Sequence, residues 1–455
     1  MENKSTTLAI SKTIESLFEQ KKYITIRDVL NTMQGIDIAN MFSELDQNML
    51  PLLFRLLPKE LAADTFVEMD DDAQEMLIHG FSDTELKEII DELYVDDMVD
   101  LVEEMPANVV KRILRTADAE TRKAINEILK YPDDSAGSIM TTEYITLRPT
   151  MTVQDAIKRI RRTGVDKETI YTGYVTESNR TLVGMVSMRT LLLSDDDDIV
   201  QDIMESNIIA VNTLDDKEEV ANQFKKYDFL AMPVVDKEFR LVGIVTVDDA
   251  IDVMEDEVTE DMEVMAAITP SDKPYLKTGV FETWRKRIPW LLLLMISATF
   301  TGMIITSFEE ALAAQVTLTA FIPMLMDTGG NSGSQTSVTV IRGLSLGEIQ
   351  FKDMLKVVWK EARVALLAGA TLAVANFAKL MLFDRVGFSV SLVVCITLIV
   401  TVFVAKIIGC VLPMLAKKIG FDPAVMASPF ITTAVDAISL VVYFQIAAVL
   451  LNLAL

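Results

Sequence analysis

Apolar side chains recur at spacings of three and four from about Thr13 to Lys130, as in Met49, Leu52, Leu53, Leu56 and Leu57. That period predicts consecutive short helices. Polar turns and the steps Leu57-Pro58 and Met105-Pro106 punctuate them, because proline cannot sit inside a helix without breaking its hydrogen-bond ladder. The expectation is a small array of stacked helices without a strict repeat. From about Asp134 to Glu255 the pattern changes and repeats itself. Thr181-Leu182-Val183-Gly184-Met185-Val186-Ser187 returns 59 residues later as Arg240-Leu241-Val242-Gly243-Ile244-Val245-Thr246. Each run is β-branched and short, so it reads as a strand leading into a helix. Each copy opens with a methionine, Met140 or Met204, followed by a strand-like stretch. The unit is βαββα, present twice.

From Asp248 the chain turns helical and acidic, with Ile251, Met254, Val258, Met262 and Met265 on one side. Five apolar segments follow: 288–308, 311–326, 364–383, 390–416 and 427–455. All but the second are of spanning length. The second is short and runs into Asp327-Thr328-Gly329-Gly330-Asn331, so a re-entrant or broken stretch is expected there.

Charge divides the chain in the same place. The first 270 residues carry a net −29 and the remainder +4, together the −25 of the whole. Basic residues orient the spans: Arg285, Lys286 and Arg287 precede the first, five more lie between the second and third, and Lys417 and Lys418 precede the fifth. The N-terminus is expected in the cytoplasm and the C-terminus outside. The opening residues lack the apolar core of a signal peptide. With His79 as the lone histidine, the usual zinc and copper ligands are missing. The two cysteines, Cys395 and Cys410, lie in apolar segments and imply no disulfide framework.

Asp436 lies within the last apolar run, where an acid is costly unless it faces water or an ion. Thr432, Thr433 and Asp436 fall at i, i+1 and i+4, and Pro429 can free carbonyl oxygens on the same side. Hydroxyls, carbonyls and a carboxylate form an all-oxygen setting suited to a hard cation. The competing reading pairs Asp436 with a basic residue such as Lys406. The stretch Gly329-Gly330-Asn331-Ser332-Gly333-Ser334-Gln335 lets backbones approach closely or leave helical geometry. The competing reading is a plain cytoplasmic loop or small-residue helix packing.

GGNSGSQ after the second span, FDPAVMASPFITTAVDA leading into the fifth, and YDFLAMPVVD with LVGIVTVDD in the repeat together resemble the MgtE magnesium channel family. The repeat resembles a tandem CBS pair. The resemblance implies a multi-domain chain: an α-helical N domain of stacked helices (1–132), an α+β CBS pair (133–200 and 201–255), an acidic connecting helix (248–275) and a five-span α-helical membrane domain (284–455). It implies a homodimer in the bacterial cytoplasmic membrane, surrounded by lipid, with the pore on the two-fold axis and no nucleic-acid partner. Mg2+ is the implied ion, transported past Asp436, Thr432, Thr433, Ser428 and Asn331. Ser428 stands where the family has Asn, and Ser439 where it has Gly. Cytoplasmic Mg2+ is implied to close the pore through Asp96, Asp100, Asp216, Asp228, Asp249, Asp252, Glu257, Glu260 and Asp261. The adenosine signature of CBS domains survives in the second copy as Thr246 and Asp249. In the first copy, Ser187 is followed by Thr190 where the ribose-binding acid belongs. ATP is therefore implied for the second copy alone. No covalent reaction is implied. Transport of other divalents such as Mn2+ or Co2+, and a non-conducting nucleotide or metal receptor, remain as alternatives.

Overall fold

The computed structural model describes residues 2–271, 275–276, 278–426 and 428–452. The chain divides into two compact units, Met1–Met254 and Glu255–Leu455.

The first unit opens with helices α1–α10, running from Glu2–Glu19 to Ala119–Ile128 and including α5 (Lys59–Val67), α6 (Asp71–Gly80) and α8 (Val95–Glu104). Pro58 and Pro106 stand at the N-terminal caps of α5 and α9 (Ala107–Thr116), as the sequence breaks predict. Asp70, Ser82 and Asp118 cap α6, α7 (Asp83–Ile90) and α10 through their side chains, satisfying backbone N–H groups with no partner inside the helix. Leu30, Leu53, Leu77, Met98 and Ile113 are fully buried in the resulting core.

Two three-stranded sheets follow. In the first, β1 (Ile145–Leu147) pairs parallel with β2 (Thr172–Thr176), which pairs antiparallel with β3 (Leu182–Ser187). The second repeats this with β4 (Val211–Asn212), β5 (Ala231–Val235) and β6 (Leu241–Thr246). The repetition extends to a register shift near the end of β2 and of β5. The helices of the pair are α11 (Val153–Thr163), α12 (Met188–Leu193), α13 (Val200–Ile203) and α14 (Lys217–Tyr227). The opening methionines are exchanged between the copies. Met140 lies against Gly243, where a Cβ would come 2.6 Å from its sulfur, and Met204 lies closer still against Gly184. Thr141 pairs with Ile244 and Glu205 with Met185, so each copy's first residues complete the other copy's sheet. A side chain at either glycine would push these segments apart.

Helix α15 (Val247–Met265) is the acidic element predicted after the repeat. The second unit takes its C-terminal half and continues with α16 (Val280–Ser307), α17 (Glu309–Ala314), a 3-10 turn (Val316–Phe321), α18 (Ile322–Ser345), α19 (Met354–Leu382), α20 (Phe388–Lys418) and α21 (Ser428–Leu451). Among the described residues four helical stretches are long and apolar enough to cross a membrane: Val280–Ser307, Phe351–Leu382, Phe388–Lys418 and Pro423–Leu451. The expected second segment, 311–326, is not one helix. The chain breaks at Gln315–Phe321, and α18 then runs unbroken through the glycine-rich stretch. Pro323 in its first turn is a favoured helix start, and the glycines serve contact rather than a break. Alanine 427 and residues 453–455 of the last predicted segment lie outside the described residues.

Candidate functional site: a membrane carboxylate and an acidic cluster

Three of the glycines bring α18 against its neighbours. A Cβ at Gly330 would come 2.9 Å from Thr432 Cγ2, one at Gly333 would come 2.6 Å from Ile431, and one at Gly329 would meet Thr401 and Val435. Gly409 on α20 lies directly on the Gly333 backbone. Such approaches exclude any side chain, and close packing of small residues is how membrane helices associate. They set α21 so that Thr432 and Asp436 lie beside α18.

Asp436 is half-buried, and its Oδ1 is fully enclosed yet accepts no hydrogen bond. An unsatisfied carboxylate oxygen is expensive in such a place. Lys406 does not relieve it. The Lys406 ammonium donates to Thr336 Oγ1 at 3.1 Å and lies 3.7 Å from Glu361 Oε2, while Thr336 donates to the same Glu361 oxygen at 3.0 Å. The structural pairing weighed for Asp436 is thus taken by Glu361. The charge that Asp436 does feel is a like one, Asp327. Asp327, Asn331 and Gln335 lie exposed at i, i+4 and i+8 along α18, continued by Thr339 and Arg342. Helix α18 therefore carries a polar strip through an apolar bundle. Thr433 donates back to the Pro429 carbonyl at 3.0 Å, which occupies its hydroxyl within α21. The Ser428 side chain lies outside the described residues. Ser439 is buried against Gly329 with an unbonded hydroxyl, between helices rather than on the strip. Asp327 was passed over in the sequence because it closes an apolar run and looks like a boundary.

The second concentration of acid is in the first unit. It comprises Asp96, Asp97 and Asp100 on α8, Glu168 in the loop before β2 and Asp249 on α15, and the Asp249 charge raises the proton affinity of the other four. Burial first, then Asp249 and Asp97, pushes Asp96 well above the usual carboxylate range. Loss of hydration and the Asp249 charge bring Asp97 to about 6 and act in the same direction on Asp100, whose side chain stays exposed. Glu168 reaches about 8 through burial and the charges of Asp97 and Asp249. Asp249, itself at about 6 through burial, accepts from Thr246 Oγ1 at 2.6 Å. Glu168 Oε2 is buried without a hydrogen-bond partner. No three carboxylates among the described residues already converge as a metal's ligands, but an unbonded oxygen amid repelling acids is where a hydrated divalent ion fits. Asp97 and Glu168 were missed in the sequence, Asp97 for lack of a matching motif and Glu168 because it stands in an ordinary loop.

Of the other acids singled out, Asp216 caps the N-terminus of α14 and Asp228 takes the left-handed conformation at its C-terminus. Asp252 stands on the same helix as Asp249 and raises the proton affinity of Glu68. Within the second unit, Ser345 at the end of α18 donates to Asp261 at 3.4 Å. Val264 and Met265 pack on Ile341 and Ala424. The end of the acidic helix, which carries Glu257, Glu260 and Asp261, thus rests on the end of the polar-strip helix.

Comparison with known proteins agrees with this division. The divalent cation transporter domain MgtE matches residues 322–446, the MgtE intracellular N domain 33–134, and CBS domains 136–196 and 200–256. The magnesium transporter MgtE of Thermus thermophilus is 35% identical, with 98% of this chain and 99% of the relative covered. The chain belongs to the MgtE family. The MgtE of Bacillus subtilis is 33% identical over 96% of each chain. Two solved structures align with the N-terminal half of the chain. A cytosolic domain of the Mg2+ channel MgtE in complex with ATP is 34% identical with a TM-score of 0.51, covering 53% of this chain and 99% of its own. The soluble part of a magnesium transporter is 31% identical with a TM-score of 0.52, covering 55% of this chain and 99% of its own.

Proposed function

We propose that this chain is a Mg2+ channel of a bacterial cytoplasmic membrane, closed from inside by Mg2+ and catalysing no covalent reaction. The observation that carries the reading is the unsatisfied Asp436 oxygen beside the polar strip of α18. A strip of Asp327, Asn331 and Gln335 left uncovered in one chain needs water or a second copy. A homodimer supplies both, with two strips and two Asp436 carboxylates around one axis. Mg2+ gives up its waters reluctantly, so carboxylate, amide and hydroxyl groups hold the hydrated ion rather than the bare one. Thr432 and Asp436 would line the passage with Asn331. Ser428 and Thr433 would border it, Thr433 through its carbonyl-bound hydroxyl.

Gating follows from charge. Without Mg2+, Asp96, Asp97, Asp100, Glu168 and Asp249 repel one another and the N domain loosens from the CBS pair. Mg2+ neutralises them, draws in the acidic helix with Asp252, Glu257, Glu260 and Asp261, and holds that helix over the end of α18. Asp216 and Asp228 offer further carboxylates at the ends of α14. The basic loops favour a cytoplasmic N-terminus, from which the sensor would read the compartment being filled. Thr246 and Asp249 in the second CBS copy are the residues to hold ATP, in keeping with the ATP-bound relative. Mn2+ and Co2+ are disfavoured as cargo by the lack of nitrogen and sulfur ligands in the strip.

Patch recordings with Mg2+ varied separately on each face test the reading. Channels are expected to conduct at low cytoplasmic Mg2+ and to close as it rises. Asp249→Asn, Asp252→Asn and Glu257→Gln shift that closure to higher Mg2+. Closure at an unchanged concentration in all three would remove these acids from sensing.

A further inference from the structure

We infer, on the reading that Mg2+ passes beside Asp436, that Tyr443 is a positioning residue for ion entry. Its hydroxyl is bonded to the Leu318 carbonyl, and this bond fixes where α18 begins and how far Asp327 stands from Asp436. The hydroxyl donates to Leu318 O at 2.9 Å, and both residues are fully buried. Tyr443 belongs to α21 and Leu318 to the 3-10 turn Val316–Phe321. The chain leaves helical geometry just before that turn, at Gln315 with φ −141° and ψ 76°. Irregular backbone inside a membrane bundle persists only where the protein itself meets its polar groups, and Tyr443 supplies a donor here.

The turn leads into α18 with no residue between them. Its placement therefore sets the first turns of that helix, and Asp327 lies in the second. The neighbouring residue of α21 holds the same connector at its other end. Phe444 stacks on Phe308 with ring centroids 4.6 Å apart, and Phe308 closes α16. Adjacent aromatic residues of α21 thus pin both ends of 308–321. Asp436 and Tyr443 fall at i and i+7 on α21, about 10 Å apart along its axis and on nearly one face. One helix consequently carries both the carboxylate that meets the ion and the hydroxyl that places the facing helix. The like charge felt by Asp436 is that of Asp327. Two such charges grip a divalent ion between them with a strength set by their separation. A connector free to shift would let α18 slide and loosen that grip.

Single-channel currents recorded as Mg2+ is raised on the face opposite the N domain test this. Tyr443→Phe keeps the ring and loses only the donor. It is expected to raise the half-saturating Mg2+ about tenfold with the maximal current kept. A hydroxyl that served folding alone would change the number of channels and leave that curve in place, which would overturn the proposal. Asp327→Asn is expected to raise half-saturation as much. Combining it with Tyr443→Phe should raise it no further, since Tyr443 acts through Asp327; additive shifts would also overturn the proposal. Should Tyr443→Phe not assemble, Phe308→Leu loosens the connector from its other end. It is expected to raise half-saturation about threefold, and an unchanged curve there overturns the proposal equally. Asp436→Ala in the same recordings keeps the two readings apart. Current lost there while the Tyr443→Phe curve stays unmoved refutes the positioning role alone, whereas current kept there refutes the passage beside Asp436.

Discussion

At the scale of single residues, the membrane half turns on which carboxylate has a cation and which does not. Glu361 has Lys406 and Thr336, while Asp436 Oδ1 has neither. Both Glu361 and Lys406 are largely buried, so removing one partner leaves an uncompensated charge. Lys406→Met is expected to destabilise the membrane domain by about 3–5 kcal/mol, and adding Glu361→Gln to recover most of it. Thermal unfolding in detergent checks this; a double variant no more stable than the single one would contradict the pairing. The isolation of Asp436 was legible in the sequence because a lone acid in an apolar run is rare. The choice between Glu361 and Asp436 as the partner of Lys406 was not, since it depends on how three helices pack. Tyr443 was invisible for another reason: a tyrosine in an apolar run signals nothing until its hydroxyl is found on a carbonyl 125 residues away in the chain.

Among elements, α18 departs most from what the sequence suggests. Three glycines in five positions fit a broken helix and a packed one equally well, and only the neighbours decide. Thr432, Ile431 and the Gly409 backbone fill the space where Cβ atoms would stand. Gly333→Leu is therefore expected to destabilise by about 1–3 kcal/mol through overpacking and to slow ion passage. Gly387→Ala, with nothing within 4 Å of the added carbon, should stay within about 0.5 kcal/mol of the unmodified chain. Equal effects from the two would contradict the packing role. The repeated βαββα unit was legible because its strand sequence recurs nearly unchanged. The exchange of opening methionines between the copies was not, although Gly184 and Gly243 marked where they would land.

On the scale of the whole molecule, the acidic half is a sensor only if its charges are unfavourable when metal is absent. Asp97, Glu168 and Asp249 bind protons more tightly when folded, titrating near 6 to 8, than unfolded carboxylates near 4. Between those values the folded state holds the extra protons, so stability falls as pH rises from about 4 to about 8. Melting of the metal-free chain should show that decline, and saturating Mg2+ should flatten it. A metal-free Tm that rises across this window would contradict the sign. Domain order and the acidic bias were legible from composition and repeats; which acids meet was not, because α8, the Glu168 loop and α15 are far apart in sequence. The central claim is that Mg2+ passes beside Asp436, and Mg2+ flux into vesicles containing the Asp436→Ala chain tests it most directly. The account predicts flux at the level of protein-free vesicles from a chain that still assembles as a dimer; flux near that of the unmodified protein would contradict it.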